Sequence, residues 1–325
     1  MIRTTLSIAA LALAISPIAF GHGAGHLVQT AEQEVVIEAT DLGNGIHMLV
    51  GQGGNIGVLA GDDGVFVIDS QFARIAPQNL AKINEIAGGS PTYLVNTHWH
   101  GDHTGGNVNF DAIIIAHDNV RARLSTDQTR TLLGNERTTP AADPKAWPVF
   151  TFDDDLSMHV NGQTIRIFHT PAAHTDGDAM VLFEDANILH MGDVFFVGNF
   201  PFIDVSSGGT VEGFLNAMRK AHSLIDDETQ VIPGHGPLAS KADIAASIEM
   251  LAGVHQAASA AFDSGVSVED AVANELLAPW AETWGSGSIS ADLFTRLVYA
   301  DLERIAAEKT AAAADAALQH EGQGS

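Results

Sequence analysis

The sequence predicts an α/β fold, a four-layer αββα sandwich built from two similar halves. Short apolar runs broken by Gly and Asp read as strands, and between them lie segments with helical spacing. The order strands, helix, strands, helix occurs twice, and no Pro- or Ser-rich stretch divides the chain. With 325 residues, 46% of them apolar, there is material for one large core.

The elements follow in order. Arg3, the apolar run Leu6–Ile15, Pro17 and the small residues around Gly21 read as a signal peptide over 1–21. The mature chain is therefore expected in the periplasm or outside the cell, with no membrane span. Residues 22–34 are small and polar. Strands are expected at Val35–Ile37, Ile46–Val50, Ile56–Ala60 and Val65–Asp69, the last two joined as a hairpin by Asp62-Asp63-Gly64. Pro77–Ile86 has helical spacing with Gly88-Gly89 as its stop, and Thr92–Asn96 and Ile113–Ala116 are strands. Residues 118–145 read as a helix and then an irregular, Pro-containing loop. Strands resume at Leu156–Val160, Thr164–His169, Ala179–Phe183 and Ile188–His190, followed by a helix over Val211–Leu224 and a strand at Gln230–Ile232. From Lys241 the period is helical. Ser267–Asp270 resembles a capping box, Asp292–Ala306 carries an apolar stripe, and the Ala-rich tail from Glu308 is expected to fray. The chain thus divides into a leader at 1–21, a catalytic domain at 22–240 and a helical extension of the same domain at 241–325.

Net charge is −25, which disfavours a nucleic-acid partner and leaves a small molecule as the expected substrate. The absence of cysteine excludes disulfides and any Cys-ligated zinc site.

The chemistry concentrates in His98-Trp99-His100-Gly101-Asp102-His103. Residues two apart on an extended segment face one way, so His98, His100 and Asp102 are expected to converge as the strand ends, with His103 at the turn. Such a cluster is costly unless a divalent metal occupies it, and imidazole with carboxylate suits zinc. His174 in His174-Thr175-Asp176-Gly177, Asp193 in Gly192-Asp193 and His235 in Gly234-His235-Gly236 repeat one design: an apolar strand, a tight turn, then a ligand.

These motifs, in this order from Asp69 to Pro237, resemble the metallo-β-lactamase superfamily. The resemblance implies that superfamily's αββα sandwich and two zinc ions per chain. It implies that His98, His100 and His174 hold the first, that Asp102, His103 and His235 hold the second, and that Asp193 bridges them as in glyoxalase II-like members. Asp69 would support the site through hydrogen bonds. It further implies hydrolysis by a hydroxide generated on zinc, with Asp102 as a catalytic residue that orients the nucleophile and passes on its proton. A secreted hydrolase of a cyclic amide, β-lactamase-like and relevant to antibiotic resistance, is the first expectation. Hydrolysis of an ester, lactone or thioester is the alternative. An iron-dependent persulfide dioxygenase and a non-catalytic zinc protein stand behind these, and manganese would suit the same ligands.

The run Phe195–Asp204 is expected either to line the substrate site or to fill the core, with Asn199 as a donor to a substrate carboxylate or developing oxyanion. Trp99 points away from its flanking ligands and is expected to pack. Trp147, Trp280 and Trp284 wall a pocket or fill the core. His47, His117, His159, His169, His190, His222 and His255 are expected to be hydrogen-bonded structural histidines, and Asp176 and Asp178 to cap the turn after His174.

Overall fold

The computed structural model describes residues 35–132 and 135–322, without the side chains of 131, 132, 135 and 315–322. The leader expected at 1–21 lies outside the described residues. No helix among the described residues is long and apolar enough to cross a membrane.

The first half opens with four antiparallel strands, β1 (Glu38–Gly43), β2 (Ile46–Val50), β3 (Ile56–Leu59) and β4 (Val65–Ile68). Helix α1 (Ala76–Ala87) leads to β5 (Pro91–Val95), a short turn of helix α2 (Gly101–Thr104) leads to β6 (Ile113–His117), and α3 (Asp118–Leu124) follows. Strands β7 (Gln128–Leu132) and β8 (Asn135–Thr139) form a separate two-stranded ribbon before β9 (Phe150–Phe152). The sheet order is β1-β2-β3-β4-β5-β6-β9, parallel from β4 onward.

The second half holds β10 (Asp155–Val160), β11 (Gln163–His169), β12 (Ala179–Phe183), β13 (Ile188–His190), helix α4 (Val211–Leu224) and β14 (Gln230–Ile232), the strands paired in that order. Helices α5 (Lys241–Asp263), α6 (Val268–Ala273), α7 (Ala278–Trp284) and α8 (Ala291–Gly322) complete it.

Alternation along the strands builds the layers. Phe66, Ile68, Val95 and Ile115 of the first sheet meet Ile165, Ile167, Val181 and Phe183 of the second in a central core. On the outer face of the first sheet, Val58, Val67 and Leu94 pack on Ala76 and Ile83 of α1. On the outer face of the second, Phe168, Met180 and Leu189 pack with Phe214 of α4, Leu251 of α5 and Phe294 of α8. The expected αββα sandwich is present, and α5–α8 share a core with the second sheet.

Three elements differ from expectation. Val35–Ile37 lie outside β1, because Glu38 already pairs with Val50, the last residue of β2, and no partner strand extends beyond it. The loop expected after α3 contains the β7–β8 ribbon, which is polar on both faces and so lacks apolar alternation. The tail does not fray at Glu308: α8 runs on to Gly322 through an alanine-rich stretch whose helix propensity is high.

Candidate metal centre

Five of the seven expected ligands arrive after an apolar strand. His98 and His100 follow β5, His174 follows β11, Asp193 follows β13 and His235 follows β14. The strands are fixed by burial, so their ends meet at one edge of the sandwich. One expectation changes here. His98 and His100 converge, but the chain enters α2 at Gly101, which turns Asp102 and His103 toward a second centre.

The donors form two groups, His98, His100, His174 and Asp193, and beside them Asp102, His103 and His235; within each, the donor atoms lie within 4.8 Å of one another. Asp193 faces both. Its Oδ2 is 3.7 Å from His98 Nε2 and 3.5 Å from His174 Nε2, while its Oδ1 is 3.0 Å from His103 Nε2 and 3.4 Å from His235 Nε2. Asp102 Oδ2 lies 3.3 Å from His235 Nε2. The first group is buried; Asp102 and His235 in the second are partly open, at 27% and 33% of their side-chain surfaces.

Each imidazole is oriented from behind. His174 Nδ1 donates to Phe202 O at 2.7 Å, and His103 Nδ1 to Asp69 Oδ2 at 2.7 Å, so each turns an unprotonated Nε2 inward when neutral. His100 is reversed: Nε2 donates to Asp204 Oδ2 at 2.9 Å and Nδ1 faces the centre, 2.9 Å from His174 Nε2. His98 Nδ1 lies 3.1 Å from Thr97 Oγ1, whose hydroxyl donates to Asp69 Oδ2 at 2.7 Å. Asp69 therefore braces both groups.

The backbone fits closely around the ligands. A Cβ on Gly54 would lie 2.0 Å from the His103 ring, and one on Gly234 would lie 2.1 Å from Asp193 Oδ1. Asn55 Nδ2 donates to Pro233 O and Gly236 O, both at 2.9 Å, and so holds the loop that presents His235. Phe196 stacks on the His235 ring at 5.4 Å.

The donor set fits a metal. His98 Nε2 and Asp193 Oδ1 are buried and lack a hydrogen bond of proper geometry among the described residues. Leaving such atoms unpaired is costly, and an ion at their focus would satisfy both. All seven donors are imidazoles or carboxylates, the chemistry that zinc takes, and Asp193 faces both groups.

Charge divides the two groups. Burial lowers His98, His100 and His174, holding them neutral. Burial also opposes charge on His103 and His235, but carboxylates outweigh it. Asp193, Asp69 and Asp102 raise His103 well above its usual value, and Asp193 with Asp102 raises His235 to about 9. Asp193 is held far below the carboxylate range against its burial by His103, His235 and His98; Asp102, likewise against burial, falls to about 2 through His103 and His235.

A proton count tests this division. The raised His103 and His235 favour a proton on the second group at pH 7 that a metal must displace, so saturation with zinc is expected to release protons, from this group rather than from the neutral His98, His100 and His174. Calorimetry in two buffers of different ionisation enthalpy reads the number, and zinc uptake without proton release would refute it. Affinity at the second group then rises with pH toward about 9 and falls in acid. In the chelated protein the raised His235 contributes stability that is complete below its ordinary 6.5 and lost as pH rises through about 9.

The sequence profile of the Metallo-beta-lactamase superfamily matches residues 49–244, more than half of the chain and all seven donors. The chain belongs to the metallo-beta-lactamase superfamily. It is a hydrolase of that superfamily with side-chain clusters able to hold metal. Among proteins of this superfamily, the human acyl-coenzyme A thioesterase MBLAC2 is 25% identical over 224 residues, 60% of this chain and 79% of that one. The probable metallo-hydrolase YqgX of Bacillus subtilis is 27% identical over 166 residues, 48% of this chain and 75% of that one. In structure, a metallo-beta-lactamase from Pontibacter korlensis superposes with a TM-score of 0.55 at 16% identity, covering 66% of this chain and 98% of that one. The sec-alkylsulfatase Pisa1 from a Pseudomonas species gives 0.60 at 15%, covering 81% and 50%. At these identities the structural likeness is one of fold.

The centre opens into a cleft of about 730 Å³ walled by Phe72, Trp99, Leu124, Phe196, Phe202 and Ile289. The run 195–204 divides between its two expected roles: Phe195 and Ile203 are core, while Phe196 and Phe202 line the cleft. Asn199 also lines it, and its Nδ2 donates to Val197 O at 2.9 Å. Trp99 packs on Ala116, Val120 and Leu124 as expected and also backs the cleft. Trp147 joins that cluster, and Trp280 and Trp284 pack on the core at the outer face of the second sheet. His190 is structural, with Nε2 donating to Asn55 O. Asp178 caps the His174 turn, accepting from His174 N and Thr175 N, whereas Asp176 pairs with both ends of the Arg123 guanidinium at 2.7 Å.

Sequence reasoning missed Asp204 as a positioning residue, since it lies 104 residues from His100. It also missed Asn55 and the arginines of the β7–β8 ribbon. A Thr-rich stretch with Gly134-Asn135 at its middle was the signal for that ribbon.

Proposed function

We propose that the chain is a secreted, dinuclear zinc hydrolase of acyl bonds, with a cyclic amide of the β-lactam kind as the first substrate class. Asp193 carries this reading, because its two oxygens face two separate donor groups. Export rests on the leader features of residues 1–21.

Zinc bound there supplies an acidified water and Lewis acidity toward a carbonyl. The protein's own groups do the rest. His98, His100 and His174, kept neutral, would hold the first ion, and Asp102, His103 and His235 the second. Asp102, ionised and partly open to the cleft, orients the attacking water and accepts its proton. Phe196 and Phe202 exclude water from the acyl group, and the second Nδ2 proton of Asn199 is available to a substrate carboxylate or oxyanion.

A thioester is the second reading, supported by similarity to a human protein named as an acyl-coenzyme A thioesterase. Parallel assays separate the two: a chromogenic cephalosporin and an acyl thioester, each with zinc-loaded protein, chelated protein and His100→Ala. Cephalosporin turnover lost in both controls is the expected result. Thioester turnover alone would replace the cyclic amide by the second reading. Turnover of neither, with two zincs bound, would overturn both the cyclic amide and the thioester and leave an ester or lactone as the substrate class.

A further inference from the structure

The chain carries 15 Lys and Arg side chains against 40 Asp and Glu, yet Arg123, Arg130 and Arg137 all line the one cleft that holds the metal centre. Arg123 is committed to its ion pair with Asp176 and also donates to Gln128 Oε1. The other two arginines are arranged differently. Arg130 and Arg137 are direct cross-strand partners in the β7–β8 ribbon. Residues so paired share a face, and Gln128, Arg130, Arg137 and Thr139 all face the cleft. The other face is sealed by a Thr129–Thr138 hydroxyl contact of 2.9 Å.

Like charges set directly opposite each other destabilise a two-stranded ribbon. Arg130 is ion-paired with Asp204 at 3.7 Å, without a hydrogen bond, so its forked donors are not used by that carboxylate. Asp204 is already engaged by His100, Ser206 and Ser207. Arg130 also lies 5.2 Å from the Trp99 ring, which fixes the guanidinium against the cleft wall. Two forked donors on one face, one carboxylate removed from a metal-centre histidine, are suited to a bidentate anion.

We propose that Arg130 and Arg137 form an anion clamp, so that the hydrolase acts on acyl substrates carrying a carboxylate, phosphate or sulfate away from the scissile bond. This inference rests on the hydrolase reading for its acyl component and on the ribbon alone for its anion component.

The test is calorimetric binding to zinc-loaded protein of phenylacetate, phenyl phosphate, phenyl sulfate and neutral phenylacetamide. Wild type is compared with Arg130→Gln/Arg137→Gln and, because Arg137 is exposed, with Arg137→Gln alone as a variant that leaves the core untouched. Anion affinity is expected to fall by about tenfold or more in the double variant and by part of that in the single one, with phenylacetamide unchanged. Zinc content should be unaltered, and the melting temperature should hold or rise, since a like-charge pair has been removed. The preferred anion assigns carboxylate against the tetrahedral groups. Equal anion affinity in wild type and variants, or an equal loss for phenylacetamide, would overturn the clamp. Failure to hydrolyse any acyl substrate while the anion difference persists would count against the hydrolase reading and leave the clamp standing.

Discussion

Replacing Asp193 by alanine is expected to lower kcat/KM by more than about a hundredfold, or about 2.7 kcal/mol, because partners one shell out from a metal already cost 10- to 100-fold. Each group would be left with three donors, His98, His100 and His174 on one side and Asp102, His103 and His235 on the other. The loss is also electrostatic. Asp193 is the leading charge that raises both His103 and His235, and its removal lets burial act on both. The fall should therefore appear in metal content as well as in rate: dialysed Asp193→Ala is expected to retain less zinc than wild type at matched concentration. Asp193→Asn, which keeps the volume and one acceptor oxygen, should lie between the two. An Asp193→Ala protein with two ions and an unaltered kcat/KM would refute the bridging role.

The uneven legibility of this site has a physical origin. Donors placed at strand ends can be read from the chain, because burial sets the strand and alternation sets the face. His98 and His100, His174, Asp193 and His235 all follow this rule. Groups that act from behind the donors are not marked by any local pattern. Asp204 reaches His100 across 104 residues, and Phe202 accepts from His174 through a backbone carbonyl that any residue would offer. Extended spacing alone places Asp102 beside His98 and His100, whereas the family resemblance places it with His103 and His235, where the helical turn at Gly101 carries it. The β7–β8 ribbon was hidden for another reason. Its inward face meets an open cleft rather than a packed core, and its own residues are polar on both faces, so the alternation that reveals other strands is missing. The same fold shows why Gly54 and Gly234 occupy their positions: His103 and Asp193 fill the space a side chain would need.

Asp69→Asn is expected to weaken zinc binding by about 10- to 100-fold at both donor groups, although Asp69 faces neither ion position directly. Asp69 Oδ1 accepts from Thr97 N at 2.8 Å, and Oδ2 accepts from Thr97 Oγ1 and His103 Nδ1, each at 2.7 Å. All three partners donate, so an amide NH2 in either orientation meets a donor. If it lies toward His103, that ring must move its proton to Nε2, the atom facing the second group, or leave a buried donor unpaired at a cost of about 1–3 kcal/mol. Thr97 loses its acceptor in the same arrangement, and with it the brace behind His98. Backbone strain does not account for the effect: Asp69 has φ 65, a conformation that asparagine also tolerates. Thr97→Val provides the contrast, since it removes the relay to His98 while leaving His103 on Asp69, and should weaken the first group alone. Competition with a chromophoric chelator measures both affinities. Two unchanged zinc affinities in Asp69→Asn would refute the brace, and equal losses at both groups in Thr97→Val would place it in general packing rather than in these hydrogen bonds.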